Sequence, residues 1–199
     1  MGQSSGPNLM KSWTETSSQV FANLLRANQL AFTPVSPSGG DTGERDGEID
    51  AETTLPSWRS GSTAEEVAAL EVGDRVTFSK EVADEDIRSF AAASGDTNPL
   101  HLSEEFGEET MFGERIAHGT LVAGLISAAL ARLPGLVVYL SQDLEFHNPV
   151  SVGDQATAEC HVVEDLGNDQ YRLNTTVSVD ETTVIDGEAV VMIQESPEE

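Results

Sequence analysis

The stretch Gly119–Leu133, GTLVAGLISAALARL, decides the fold of this sequence. It is apolar on every side for about four turns of helix. Pro134 and Gly135 follow it directly, and both are typical of the end of a helix. A helix that is apolar all round is covered by other structure rather than laid on a surface. The stretch therefore predicts a buried central helix around which a domain is built.

Segments that alternate between apolar and polar residues lie on both sides of this helix in the chain. Val76 and Phe78 share one face of a short first strand, and the acidic turn that begins at Asp84 opens a helix that ends at Gly95. Three or four further strands are predicted, over residues 136–146, 156–164, 170–180 and 184–194. The pattern predicts an α+β domain over residues 70–199, with its strands curled round the central helix.

Residues 1–69 differ in composition and are rich in Ser, Thr, Gly and Pro. Apolar residues at helical spacing predict one amphipathic helix over about residues 12–31. Residues 34–62 contain too few apolar side chains to order themselves, which predicts a flexible linker. We therefore expect an N-terminal extension over residues 1–69, followed by the domain.

The net charge limits the partners of the chain. Its 199 residues include 35 acidic and 10 basic ones, so the formal charge is −25. Such a polyanion repels phosphate backbones and anionic lipid surfaces, which argues against nucleic-acid binding and electrostatic membrane docking. A saline cytoplasm explains this acidity, because the screening length falls to ~3 Å at 1 M salt. A merely acidic mesophilic protein is the alternative.

Cysteine content and hydropathy indicate the compartment. Cys160 is the only cysteine, which excludes an intramolecular disulfide and a cysteine-based zinc cluster and favours a reducing environment. No apolar run approaches the ~20 residues of a membrane span, and the start of the chain lacks the apolar centre of a signal peptide. We expect a cytoplasmic protein with no integral membrane part.

The loop Ser94–His101, SGDTNPLH, carries the residues best suited to chemistry. Pro99 fixes its own φ and pushes Asn98 out of the helical region, so Asp96 and His101 lie on a stiff loop and can converge on one small molecule. A carboxylate and an imidazole placed in this way can hold and deprotonate water. The alternative is a turn in which Asp96 caps backbone amides and His101 packs.

His118 and Gly119 stand at the start of the predicted central helix. Gly119 lets the backbone approach a ligand closely, and an N–H at a helix start directs its dipole towards negative charge, which predicts an oxyanion site. His118 fits a cap or a residue behind the site better than a base. Ser127, eight residues after Gly119, can present its hydroxyl to the same cavity or bond its own backbone four residues back.

Three motifs together resemble one family. SGDTNPLH, the His-Gly pair after 16 intervening residues, and FHNPVSVGD over residues 146–154 resemble the MaoC-like R-specific enoyl-CoA hydratases of the hot-dog superfamily, over about residues 70–195. The resemblance implies the hot-dog fold, in which a sheet wraps a central helix, and a homodimer. It implies reversible addition of water to a trans-2-enoyl-CoA, which gives the R-3-hydroxyacyl-CoA, with no metal or redox cofactor.

The same resemblance implies roles for single residues. Asp96 and His101 match the catalytic pair of the family, Gly119 its backbone oxyanion donor, and Ser127 a polar residue of its active site. Asn98 is expected to orient the pair. In the implied mechanism a water molecule bridges the pair and loses a proton as its oxygen attacks the β-carbon, and a proton returns to the α-carbon on the same face. Either member of the pair can perform each transfer.

Cations for the phosphates of CoA are scarce in this domain. The acidic run over residues 104–109 is unusual beside a site for an anionic coenzyme. We name Arg115 as the candidate CoA contact and His118 as a further candidate on the substrate side. An ion pair with the Glu108 and Glu109 region is the alternative for Arg115. His147 has no arguable partner in the sequence, so a surface or packing role is its default.

The same sequence motifs fit other functions. A relative that acts on a branched or dicarboxylic enoyl-CoA, or a dehydratase that runs in the opposite direction, fits the same motifs. A thioesterase fits less well, because that class lacks the Asp-x-Asn-x-x-His loop joined to the His-Gly helix start. A non-catalytic acyl-CoA-binding module is favoured only if Asp96 and His101 lie apart or are blocked. The N-terminal helix is expected to pack on the domain, to complete a dimer, or to dock on a polyhydroxyalkanoate storage granule.

Overall fold

The computed structural model describes residues 53–196, and these form one antiparallel sheet with four α-helices and one short 3-10 helix, Val67–Ala69. The six strands lie in the order β1-β2-β4-β5-β6-β3 across the sheet. Their bounds are β1 Arg59–Ser62, β2 Arg75–Glu81, β3 Leu136–Phe146, β4 Gln155–Gly167, β5 Gln170–Val179 and β6 Thr182–Gln194. The helices are α1 Asp84–Ser94, α2 Pro99–Leu102, α3 Glu104–Glu108 and α4 Gly119–Leu130.

Helix α4 packs on the inner face of the sheet, against β2, β4 and β5. Its buried side chains include Ile126, which is 0% exposed, and Leu130, which is 1% exposed. They meet strand residues such as Val76 and Val162, which are also fully buried. The prediction of a hot-dog fold, an antiparallel sheet around a central helix, is confirmed.

One face of α4 differs from the prediction. Thr120, Gly124 and Ser127 are exposed, although the sequence predicted a helix covered on all sides. The one sheet formed by residues 53–196 covers only the side of the helix that carries Val122, Ile126 and the other large apolar residues. The sequence could not show this, because small residues such as Gly and Ala tolerate both burial and exposure.

The sheet also begins earlier than predicted. Arg59–Ser62 form β1, which pairs antiparallel with β2, so the predicted linker over 34–62 is wrong for its last four residues. Trp58 anchors this strand, because its ring makes an edge contact with Phe78 at a centroid distance of 5.5 Å. The helix predicted over 12–31 and the linker up to residue 52 lie outside the described residues.

Strands β3 and β6 lie close together at Gly187. A Cβ atom at this position would lie 2.0 Å from the backbone oxygen of Asp143, so only glycine fits here. β3 is the edge strand beyond this contact. Among residues 53–196, no helix is both long and apolar enough to cross a membrane.

The packing of α4 on the sheet gives a stability prediction. We expect Ile126→Ala to lower the free energy of unfolding by about 2–5 kcal/mol, because it removes a fully buried side chain and leaves a cavity. Urea denaturation at one fixed salt concentration measures the change. Val72→Ala is the control, since Val72 is 58% exposed and its loss should cost little. Equal losses in the two variants would contradict the helix–sheet packing.

Candidate active site

The loop between α1 and α2 is held by side chains that accept backbone N–H groups. Gly95 ends α1 in the left-handed conformation, with φ of 78°. The Asp96 carboxylate accepts the amide of Asn98 at 3.2 Å, and the Asn98 side chain accepts the amide of Leu100 at 3.1 Å. The sequence also allows a turn in which Asp96 caps backbone amides, as the alternative to a catalytic role, and the turn at Asp96 has this form. The two turns also give the loop its fixed shape.

His101 lies in the short helix α2 and is 9% exposed. Its Nδ1 donates to the backbone oxygen of Ile116 at 2.8 Å, because a carbonyl oxygen can only accept. In the neutral ring this assignment leaves the lone pair on Nε2. The backbone amide of His101 donates to the carbonyl of Asn98 at 3.0 Å, so Asn98 contacts the residue that it was expected to orient.

The two residues singled out on the loop do converge. One carboxylate oxygen of Asp96, one ring nitrogen of His101 and one of His118 all lie within 4.8 Å of one another. Asp96 is exposed, whereas both histidines are buried. The structure therefore places a solvent-facing carboxylate beside a buried imidazole, which is an arrangement that can share a water molecule or a proton.

His118 lies behind this pair. Its ring contacts that of His101 at a centroid distance of 3.9 Å and a tilt of 33°, and its Nε2 donates to the backbone oxygen of Asp96 at 3.0 Å. It is 1% exposed and makes no side-chain cap on α4. The side-chain cap is therefore not formed, and the ring lies under the loop, which fits the alternative of a residue behind the site. The substrate contact of His118 stays a prediction.

A cavity of about 370 Å³ opens beside His101 and Gly119. Its wall is mainly apolar, and its lining includes Phe112, Ile116, Val122, Phe146, Val150 and Ile185. Cavities of this kind hold apolar parts of small molecules, with a few polar groups that fix their orientation. Neither Phe112 nor Phe146 was singled out as a cavity residue by the sequence, since Phe112 lies in a segment without a marked pattern and Phe146 entered only as the first residue of the motif FHNPVSVGD.

Gly119 is the first residue of α4 and lines this cavity. Its amide belongs to the first turn, where no intrahelical carbonyl is available as a partner. A Cβ atom at Gly119 would lie 2.8 Å from the Phe146 ring, so the ring rests directly on the glycine backbone. The start of α4 therefore lies at the cavity, and the oxyanion role of the Gly119 amide stays a prediction.

Ser127 is not among the residues that line this cavity. Eight residues along a helix turn through about 800°, so Ser127 points roughly 80° away from Gly119. It lies on the exposed face of α4. Within the chain described here, the predicted shared cavity is thus not formed, since this rotation carries the hydroxyl to the uncovered side.

Arg115 forms ion pairs within the chain. It contacts Glu104 at 2.9 Å and Asp84 at 2.7 Å, and its side chain is 11% exposed. The hydrogen bonds to Glu104 and Asp84 raise the pKa of Arg115. The same guanidinium donates to the backbone oxygen of His101 at 3.2 Å. The ion-pair alternative is therefore observed, with other carboxylates than the expected Glu108 and Glu109. The CoA contact of Arg115 stays a prediction.

His147 has a partner that the sequence did not reveal. Its Nε2 lies 2.8 Å from the Asp186 carboxylate, 39 residues away on the neighbouring strand β6. This hydrogen bond raises the pKa of His147. His147 also lines the cavity, and Glu145 completes a group of three with metal-ligand chemistry. The expectation of no metal stays a prediction.

The fold and the site define a hot-dog domain with a carboxylate and an imidazole beside an apolar cavity. A sequence model of the MaoC like domain matches residues 64–185. The chain therefore belongs to the MaoC-like domain family.

Individual relatives agree with this family. The 3-hydroxybutyryl-CoA dehydratase of Methylorubrum extorquens is 46% identical over 132 residues, which are 65% of this chain and 84% of that protein. The (R)-specific enoyl-CoA hydratase of Rhodospirillum rubrum is 41% identical over 127 residues, 62% of this chain and 88% of that one. The solved (R)-hydratase of Aeromonas caviae, described as involved in PHA biosynthesis, has a TM-score of 0.61 and 37% identity, covering 63% and 98% of the two chains.

The His147–Asp186 pair predicts a pH dependence. The raised pKa of His147 means that the pair favours the folded state below the ordinary histidine pKa and that this contribution is lost as pH rises through the folded value. NMR titration of the His147 ring should give a midpoint above that of a free histidine. Asp186→Asn should lower the midpoint, while Asp143→Asn on β3 should not. An unchanged midpoint in Asp186→Asn would contradict the pair.

Proposed function

We propose that this protein is a hydro-lyase that reversibly adds water to trans-2-enoyl-CoA and forms the R-3-hydroxyacyl-CoA. The observation that carries the proposal is the convergence of the Asp96 carboxylate and the His101 ring beside the Gly119 helix start. The hydratase and dehydratase names of the relatives support it.

The proposed mechanism uses groups whose positions are fixed. A water molecule held between Asp96 and His101 loses a proton to one of them as its oxygen bonds to the β-carbon of the substrate. The electron pair of the double bond moves to form an enolate, and the Gly119 N–H stabilises its oxygen. A proton then returns to the α-carbon, which completes the addition. Either Asp96 or His101 can make each transfer.

The cavity favours one class of acyl chain. Its mainly apolar wall suits an uncharged chain, whereas the second carboxylate of a dicarboxylic substrate would lose hydration there. Hydration and dehydration share one equilibrium, so the same site serves a dehydratase. A branched enoyl-CoA remains a second candidate that a substrate series tests.

The setting of the reaction is part of the proposal. We infer a homodimer in which a second copy covers the exposed face of α4, because this face is the part of the central helix that the sheet leaves uncovered.

We further propose a cytoplasmic enzyme that needs no metal or redox cofactor. It would supply R-3-hydroxyacyl units to polyhydroxyalkanoate synthesis, with residues 1–69 as candidates for granule association. The description of the Aeromonas caviae protein supports this role.

Substitution of the pair tests the catalytic assignment. We expect Asp96→Asn and His101→Ala each to lower the rate of crotonyl-CoA hydration by at least about 10²-fold, because each removes a group that exchanges protons. Loss of enoyl absorbance measures the rate, and circular dichroism checks the fold. His161→Ala, on β4 and apart from the cavity lining, is the control. A folded Asp96→Asn variant with near-normal turnover would overturn the catalytic assignment of Asp96.

The net charge predicts a salt dependence. A chain of charge −25 repels the phosphates of CoA, and salt screens this repulsion. We expect the KM for crotonyl-CoA to fall as salt rises from about 0.1 M to about 1 M, where the screening length shortens from ~10 Å to ~3 Å. Initial rates over a KCl series measure it. A constant KM would make the acidity a general surface property and leave the catalytic assignment intact.

A further inference from the structure

The segment Arg115–His118 lies against both ends of the loop that carries Asp96 and His101. Hydrogen bonds join this segment to both loop residues, and each bond involves at least one side chain. The segment comes directly before α4, so its position is tied to the central helix. None of these bonds was implied by the sequence motifs.

At the Asp96 end, the contact comes from His118. Its Nε2–H donates to the backbone oxygen of Asp96 at 3.0 Å, while its Nδ1 is buried without a hydrogen-bond partner. The ring is enclosed between His101 and Phe90, at centroid distances of 3.9 Å and 4.9 Å. With only its Nε2–H engaged, His118 acts on the Asp96 backbone and not on solvent.

At the His101 end, two contacts hold the residue. Arg115 donates to the backbone oxygen of His101 at 3.2 Å, and the His101 ring donates to the backbone oxygen of Ile116 at 2.8 Å. Arg115 is itself held by Asp84 at the start of α1. The backbone and the ring of His101 are thus fixed by neighbours in sequence, Arg115 and Ile116.

The segment has its own anchors on the side away from the loop. Ala117 donates its amide to the backbone oxygen of Val150 at 2.8 Å, and Ile116 forms an isolated bridge with Ser151. The carbonyl of His118 accepts the first hydrogen bond of α4 from Val122. Because these contacts hold the segment independently of the loop, the segment can determine where the loop lies.

We propose that His118 and Arg115 are positioning residues and that the segment Arg115–His118 is a clamp that sets the separation of Asp96 and His101. This inference rests on the proposed function, because it assigns the clamp to the hydration step. In this proposal Arg115 holds the backbone of His101 instead of binding the phosphates of CoA. Asp96 needs this support, because it is exposed and lies on a loop between two helices.

Two variants of His118 separate its hydrogen bond from its packing. His118→Phe keeps an aromatic ring between Phe90 and His101 and loses the donor to Asp96, whereas His118→Gln places an amide N–H near the position of Nε2. We expect the Phe variant to lose about 10²-fold in kcat, with KM within about twofold, since misplacement near 1 Å has an effect of this size. The Gln variant should recover most of that loss. A loss that Gln does not restore would overturn the hydrogen-bond role.

Arg115→Met separates positioning from coenzyme binding. Under the clamp, kcat for crotonyl-CoA falls and KM stays close to that of the unchanged protein, because the guanidinium acts through the His101 backbone. A contact with CoA phosphates would instead raise KM and make it less sensitive to salt. A rise in KM at constant kcat would overturn the clamp at this residue.

Hydrogen–deuterium exchange provides a readout that does not need the reaction. We expect amides over residues 96–103 to exchange faster in His118→Phe than in the unchanged protein, while those of β4 keep their protection. Unchanged exchange over 96–103 would contradict the clamp, and equal acceleration in β4 would show general loss of structure in its place. If the unchanged protein fails to hydrate any enoyl-CoA, the proposed function fails, while the exchange result still decides the clamp.

Discussion

The start of α4 is the constraint on which the rest of the structure depends. The helix must lay Ile126 and its other large side chains on the sheet, which fixes its axis and its rotation. Gly119 lies at the cavity because the helix begins there. Ser127 is exposed because the rotation of α4 about its axis places the large apolar residues, and not Ser127, on the sheet. The packing of an apolar helix on a sheet thus decides which backbone amide lies at the cavity.

The active loop obtains its shape from short-range chemistry and its position from long-range contacts. Asp96 and Asn98 each accept an amide two residues ahead, so the turns follow from the local sequence. The placement of the loop against the helix start depends on His118 and on Ile116 instead. A rigid loop without these contacts would hold its own form and yet present Asp96 and His101 at an unspecified distance from Gly119.

This division explains what the sequence could and could not predict. Strong alternation and the apolar helix predicted the sheet and α4, because burial imposes a period that single residues reveal. β1 was missed, because its four residues, RSGS, have no apolar face and are ordered by pairing with β2 and by Trp58. The partners of Arg115 and His147 were missed for another reason. Asp84 and Asp186 lie 31 and 39 residues away, and only the folded chain brings them near.

The ion pairs leave few cations within the described part of this acidic chain available to bind an anionic ligand. Within residues 53–196, five cations are already paired with carboxylates of the same chain, namely Arg75, Lys80, Arg88, Arg115 and Arg172. Arg132 lies over the ring of Phe78 at 4.5 Å. These side chains neutralise local acidity in the folded state, so they are poor sources of positive charge for a polyanionic coenzyme. Arg59, which is exposed on β1, is the remaining described Lys or Arg. Mobile cations from the solvent screen the acidity that these side chains leave uncompensated, which links ionic strength to the approach of any polyanionic ligand.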